Sequence, residues 1–126
     1  MERQIPDPPF AWAEGMPYSQ AVRVGDLVFT SGQGGFDADG ELVEGTEAQL
    51  RLAIANLGAS LEAAGASLGS LVKITLYLVD PADLEVWRRV RADLLSPPWP
   101  ATTAVSAALL FDGMRCEIDA VAVAGG

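Results

Sequence analysis

The sequence predicts an α+β fold, a mixed β-sheet with two helices packed on one face. Three observations carry this: the patterned segments run ββ, α, β, α, ββ, strict βαβ repetition is missing, and two pairs of strand-like segments are joined by turn residues. The 126 residues correspond to one domain covering 1–126, and 50% of them are hydrophobic, which suits one packed core rather than disorder.

From the N-terminus, Ile5 to Met16 carries Pro6, Pro8, Pro9 and Gly15, which resist helix and ladder alike, so an irregular arm anchored by Phe10 and Trp12 is expected. Ala21 to Thr30 holds two β-rich runs around Gly25-Asp26, the composition of a hairpin. Ser31-Gly32-Gln33-Gly34-Gly35 and Asp37-Ala38-Asp39-Gly40 read as loop. Thr46-x-x-Gln49 has the form of a capping box, and Leu50, Ile54, Leu57 and Leu61 recur with helical spacing up to Gly65, a C′ glycine.

Leu71 to Val79 alternates Val72, Ile74, Leu76 and Leu78 against Lys73, Thr75, Tyr77 and Val79, which predicts a strand. Asp80-Pro81 supplies an N-cap and a first-turn proline for a second helix carrying Leu84, Trp87, Val90 and Leu94, and Pro97, Pro98 and Pro100 end it. Thr102 to Leu110 and Met114 to Ala124 read as two further strands around Phe111-Asp112-Gly113.

Charge and composition exclude several functions. Eight basic and 17 acidic residues give a net charge of −9, which repels phosphate backbones and anionic lipid, so neither nucleic acid nor membrane is an expected partner. The chain has no histidine, which removes Ser-His-Asp and Cys-His nucleophile pairs and His-ligated metal sites; no metal is expected. The single cysteine, Cys116, cannot close an internal disulfide, and the first residues lack a basic segment followed by an apolar run. A cytoplasmic location is therefore expected.

Strand parity then separates core from site. Met114, Cys116, Ile118 and Ala120 form an apolar face, and Arg115, Glu117 and Asp119 point the other way. In the preceding strand Thr102, Ala104, Ser106 and Ala108 share one face and Thr103, Val105, Ala107 and Leu109 the other, the second set being the one expected beneath the helices. The opposite sheet face mixes charge with Tyr77, Val79 and Leu110, a composition that suits a subunit interface.

Several segments, in this order, resemble the RidA (YjgF) family: Tyr18-Ser19-Gln20-Ala21-Val22, Gly25 to Gln33, Leu61 to Leu68, Val72-Lys73-Ile74-Thr75, Pro100-Ala101 and Glu117-Ile118-Asp119-Ala120. The resemblance runs from about Pro17 to Ala122. It implies a chorismate-mutase-like fold, a homotrimer whose sheets form a barrel, and a small-molecule ligand in each inter-subunit cleft. It also implies hydrolysis of reactive 2-imino and 2-enamino acids to 2-keto acids and ammonia, without a cofactor.

By the same resemblance Glu117 is the catalytic carboxylate, Ser31, Gly32 and Gln33 form a turn whose amide assists, and Tyr18 stands at the cleft mouth. The family's carboxylate-binding arginine, directly after Pro-Ala, is Thr102 here; a second family arginine is Leu109, and a family asparagine is Arg88. A threonine offers one neutral hydroxyl where a guanidinium offers a charged fork, and Arg88 is the candidate replacement cation. Two functions follow: an imine or enamine enzyme (hydrolysing, dehydrating or tautomerising its substrate) with Glu117 as general base, or a non-catalytic trimeric metabolite-binding or chaperone-like protein.

Overall fold

A computed structural model of the chain describes residues 1–125. Eight main elements run in order: β1 (Arg3–Gln4), β2 (Ala21–Val24), β3 (Leu27–Thr30), α1 (Thr46–Ala63), β4 (Leu71–Leu78), α2 (Leu84–Leu94), β5 (Ala101–Ser106) and β6 (Cys116–Val123). The strands form one sheet in the order β1-β2-β3-β6-β4-β5, with β4 and β5 parallel and every other pair antiparallel. The predicted α+β class is the observed one.

The core lies between the sheet and α1, with α2 closing its far side. Leu50, Ile54, Leu57 and Leu61 of α1 are at most 1% exposed, and each burial contributes about 1.5–3 kcal/mol by the usual transfer scale. They meet Val28, Ile74, Leu76, Cys116 and Ile118 on the sheet. The alternation in β6 holds as expected: Cys116, Ile118, Ala120 and Ala122 are buried, and Glu117, Asp119 and Val121 lie on the face away from the helices. Burial pushes the Cys116 thiol up to about 12, which leaves it an inert packing group.

Gly65 ends α1 as the spacing predicts. At φ +88° its amide donates to the Glu62 carbonyl and the Ala66 amide to the Leu61 carbonyl, the two bonds of a Schellman motif.

Five local expectations are corrected. The N-cap of α1 is Gly45 at φ +92°, not Thr46, whose hydroxyl donates to Asp83 at 2.8 Å instead. Gln49 does not complete a capping box: its amide nitrogen donates to the carbonyls of Val43 and Gly113, and its oxygen accepts from the Arg115 amide. The supposed irregular arm contains a short 3-10 turn at Ala11–Ala13. Val72 does not join the buried side of β4, because the β4–β6 register shifts between Leu71 and Lys73 and leaves it 45% exposed.

The fifth correction is topological. The last two strands are not a hairpin: β4 lies between them, and β5 pairs in parallel with β4 after the α2 crossover. Register places Thr102, Ala104 and Ser106 beside Ile74, Leu76 and Leu78, so the helices lie on the side of that set and not of Thr103 and Val105.

The turn after β3 lies against α1 so closely that a Cβ on Gly35 would come within 2.6 Å of the Gln49 Cα, a backbone atom that cannot swing aside. Gly35→Ala is expected to lower unfolding free energy by about 1–3 kcal/mol, the usual cost of overpacking, measurable by urea denaturation.

Candidate active site

A cavity of about 460 Å³ opens where the start of β6 meets the turn that follows β3. Glu117 enters from β6, Ser31, Gly32, Gln33 and Gly34 form one wall, and Tyr18 comes from the segment before β2. The turn is held from three sides. Gln33 exchanges backbone hydrogen bonds with Ile118 at 2.7 and 3.0 Å, the Ser31 hydroxyl donates to the Ser19 carbonyl at 2.6 Å, and Asn56 of α1 donates to the carbonyls of Gly34 and Phe36 at 2.9 Å each. The Gln33 side chain donates to Gln20 at 2.9 Å, so this glutamine holds the wall.

Glu117 lies directly over Gly32. A Cβ built on that glycine would stand 1.8 Å from a Glu117 carboxylate oxygen, so the absence of a side chain makes room for the carboxyl group. Among the described residues Glu117 has no ion-pair partner and accepts no side-chain hydrogen bond. Its neighbour in sequence, Arg115, turns to Asp83 at 3.1 Å and Asp80 at 3.8 Å. Burial of the carboxyl, with the negative charge of Asp119 as the smaller cause, raises the Glu117 pKa above the ordinary carboxylate value. Asp119 is itself engaged by the Tyr77 hydroxyl at 2.9 Å, a bond that raises the Tyr77 pKa.

The rest of the wall is apolar. Trp12 and Phe36 have ring centroids 6.2 Å apart, Phe36 meets Phe111 edge-on at 5.8 Å, and Met16, Met114 and Leu110 line the same cavity. Such a lining, broken by a few convergent polar groups, is the usual build of a small-molecule site.

Of the residues singled out in the sequence, one chain thus gathers Tyr18, Ser31, Gly32, Gln33 and Glu117. It does not bring Arg88 or Thr102 to them. Arg88 pairs with Glu85 on the exposed side of α2. Thr102, in edge strand β5, lines a separate hollow with Ile74, Arg91, Leu95, Trp99 and Pro100. Asn56 and the rings of Phe36 and Phe111 escaped the sequence reading. Asn56 carried a signal, a polar residue within the apolar helix pattern, whereas loop aromatics had none that separates a cavity wall from simple packing.

Comparison with known proteins gives consistent matches. The family profile described as Endoribonuclease L-PSP matches residues 11–124. The protein named 2-iminobutanoate/2-iminopropanoate deaminase from Bos taurus is 40% identical over 111 residues, 86% of this chain and 81% of that protein. Protein mmf2, mitochondrial, from Schizosaccharomyces pombe is 42% identical over 112 residues, 86% of this chain and 88% of its own. The crystal structure of RidA from an Antarctic Psychrobacter superposes with a TM-score of 0.88 at 41% identity, covering 95% of this chain and 98% of that one.

A raised carboxyl pKa means the folded state holds the Glu117 proton more tightly than the unfolded chain, so stability from this group is present at low pH and is lost as pH rises through the raised value. Glu117→Gln is expected to melt at or above the wild-type temperature at pH 7, the gap closing as pH falls toward the ordinary value of 4.5. Thermal unfolding between pH 4 and 8 checks this; a variant several degrees less stable at pH 7 contradicts it.

Proposed function

The chain belongs to the Endoribonuclease L-PSP family, that of RidA, and we propose on that premise that it is an imine or enamine hydrolase, a deaminase, with Glu117 as general base. The observation that carries this is the Glu117 carboxyl, half-buried, unpaired and laid on Gly32 inside an otherwise apolar cavity. Relatives named as imine deaminases support the reaction class.

In the proposed reaction Glu117 takes a proton from water as the oxygen attacks the carbon of a C=N bond. The proton passes to nitrogen and gives a carbinolamine; the hydroxyl proton is then carried to the departing nitrogen as the C–N bond breaks, and C=N plus water has become C=O plus ammonia. The raised pKa makes Glu117 a stronger base than an ordinary carboxylate at the same pH. The Gly32 amide, free of a protein acceptor among the described residues, stands beside the site of reaction as a donor to the substrate. A net charge of −9 and an aromatic wall argue against an RNA backbone as substrate.

The functional assembly in this reading is a homotrimer with the cavity completed at each subunit boundary. Two features support it. All six residues of β5 are exposed at the sheet edge, and the sheet face away from the helices presents Leu27, Phe29 and Val105, each more than 40% exposed. Thr102 of one chain then approaches the cleft of the next.

Two measurements test the reading. With imines generated by an amino-acid or amine oxidase, wild type is expected to accelerate their decay, Glu117→Gln to lose roughly 10²–10⁴-fold, and Gly32→Ala, which forces the carboxyl aside, to lose at least about tenfold. A Glu117→Gln protein at the wild-type rate removes the base, and no acceleration of any imine leaves a binding protein. Light scattering should find a species three times the 13.2 kDa chain; a monomer at micromolar concentration removes the inter-subunit cleft.

A further inference from the structure

Within one chain the cavity lining holds the Glu117 carboxyl and no lysine or arginine. The assembly proposed above completes the cavity with the edge-strand side of a second copy, so the charge carried on that side decides the charge of the finished cleft. Thr102 on that edge opens into a hollow of about 290 Å³, and Arg91 of α2 lines the same hollow, with Ile74, Leu95, Trp99 and Pro100 as its apolar walls.

Arg91 differs from the arginines around it. Arg23, Arg51, Arg88, Arg89 and Arg115 each pair with an aspartate or glutamate. Among the described residues Arg91 has no carboxylate partner and its guanidinium makes no hydrogen bond, in a chain with 17 acidic residues against eight basic ones. It is half-buried, and its guanidinium lies over the ring of Trp87, 5.9 Å from the ring centre. Trp87 is itself 1% exposed, so the ring is a fixed support. It attracts the cation without offering a hydrogen-bond acceptor, which leaves the planar fork of N–H donors open to an anion. Thr102 does not compete for that role, because its hydroxyl donates to the Pro100 carbonyl at 3.1 Å.

We propose that Arg91 of one copy is the anion-binding residue of the cleft built around Glu117 of the next, holding a substrate carboxylate in its guanidinium fork from the Thr102 hollow. This rests on the hydrolase and trimer readings and deepens them by selecting imines of amino acids over imines of simple amines. The carboxylate is admitted beside Glu117 because Arg91 neutralises it, and the apolar walls of the hollow make that ion pair stronger than it is in water. Arg91 takes no proton; it binds the substrate and orients the C=N carbon toward Glu117.

The first test compares two imines that differ in the carboxylate. An amino-acid oxidase acting on phenylalanine gives the 2-imino acid, a flavin-dependent amine oxidase acting on phenethylamine gives the imine without the carboxylate, and semicarbazide trapping follows the decay of each. Arg91→Gln is expected to raise KM for the 2-imino acid at least about tenfold while kcat stays within about threefold, and Arg91→Lys to recover part of the loss. Arg89→Gln, at a position whose arginine pairs with Glu47, is expected to behave as wild type. An unchanged KM, a loss carried by kcat, or a wild type that accelerates the imine without a carboxylate as well as the 2-imino acid overturns the inference and leaves the hydrolase reading standing.

Mixed trimers test whether the two residues come from different chains. Glu117→Gln and Arg91→Gln chains carrying different tags, co-expressed and purified through both tags, form trimers in which one cleft of the three has both side chains intact. Below KM these should reach about a third of the wild-type rate, well above either parent variant. A rate no higher than the parents overturns the proposal, and failure to recover any doubly tagged species removes the trimer reading and this inference with it. If wild type accelerates neither imine, the hydrolase reading fails and calorimetry decides binding alone: 3-phenylpropanoate should bind at least about tenfold more tightly than 2-phenylethanol, and Arg91→Gln should erase the difference. Equal binding of acid and alcohol, or a difference that survives in the variant, overturns the inference.

Discussion

The site depends on one constraint, the close approach of the turn after β3 to both β6 and α1. Gln33 is locked to Ile118 by a pair of backbone hydrogen bonds, Gly35 is pressed onto the backbone of α1 at Gln49, and Asn56 holds the carbonyls of Gly34 and Phe36. These contacts bring Gly32 beneath the Glu117 carboxyl. A side chain at either glycine would change the distance, and with it the cavity, which is why the polar turn and the apolar core cannot be separated energetically.

The same packing isolates a charge. Parity sends Arg115, Glu117 and Asp119 to one side of the chain, and local ion pairing would be the ordinary outcome for such a trio. Arg115 instead reaches Thr46, Asp83 and Asp80, fastening the start of β6 to the entrances of both helices, while Tyr77 takes Asp119. Among the described residues Glu117 is left without a partner, and it is partly desolvated, a costly arrangement for a purely structural residue. The cost falls at the carboxylate that faces the aromatic-walled cavity, the arrangement that the proposed proton-transfer role requires.

Much of the fold was legible from local pattern. The first hairpin, the apolar stripe of α1, the glycine that closes it and the alternation of β6 all follow from short-range rules, because each is decided by neighbours within a few residues. The misreadings share another cause. Thr46 and Gln49 have capping-box spacing, but partners distant in sequence, Asp83, Gly113 and Arg115, claimed their side chains. The β5–β6 hairpin had a turn-like sequence between its strands, and the parallel pairing of β5 with β4 across a helix overrode it.

The candidate site divides in the same way. The sequence by itself determined the chemistry available: no imidazole, one thiol on an apolar face, a glycine-rich turn, a carboxylate on the outward side of the last strand, and threonine at the position after Pro-Ala. Only the tertiary structure decided which of these meet. It brought Glu117 onto Gly32, walled them with Trp12, Phe36 and Phe111, and left Arg88 and Thr102 outside that cavity within one chain. The physical reason is that residue identity and parity are local, whereas a cavity is made by strand order and by segments as many as 105 residues apart that come to line it together, as Trp12 and Glu117 do.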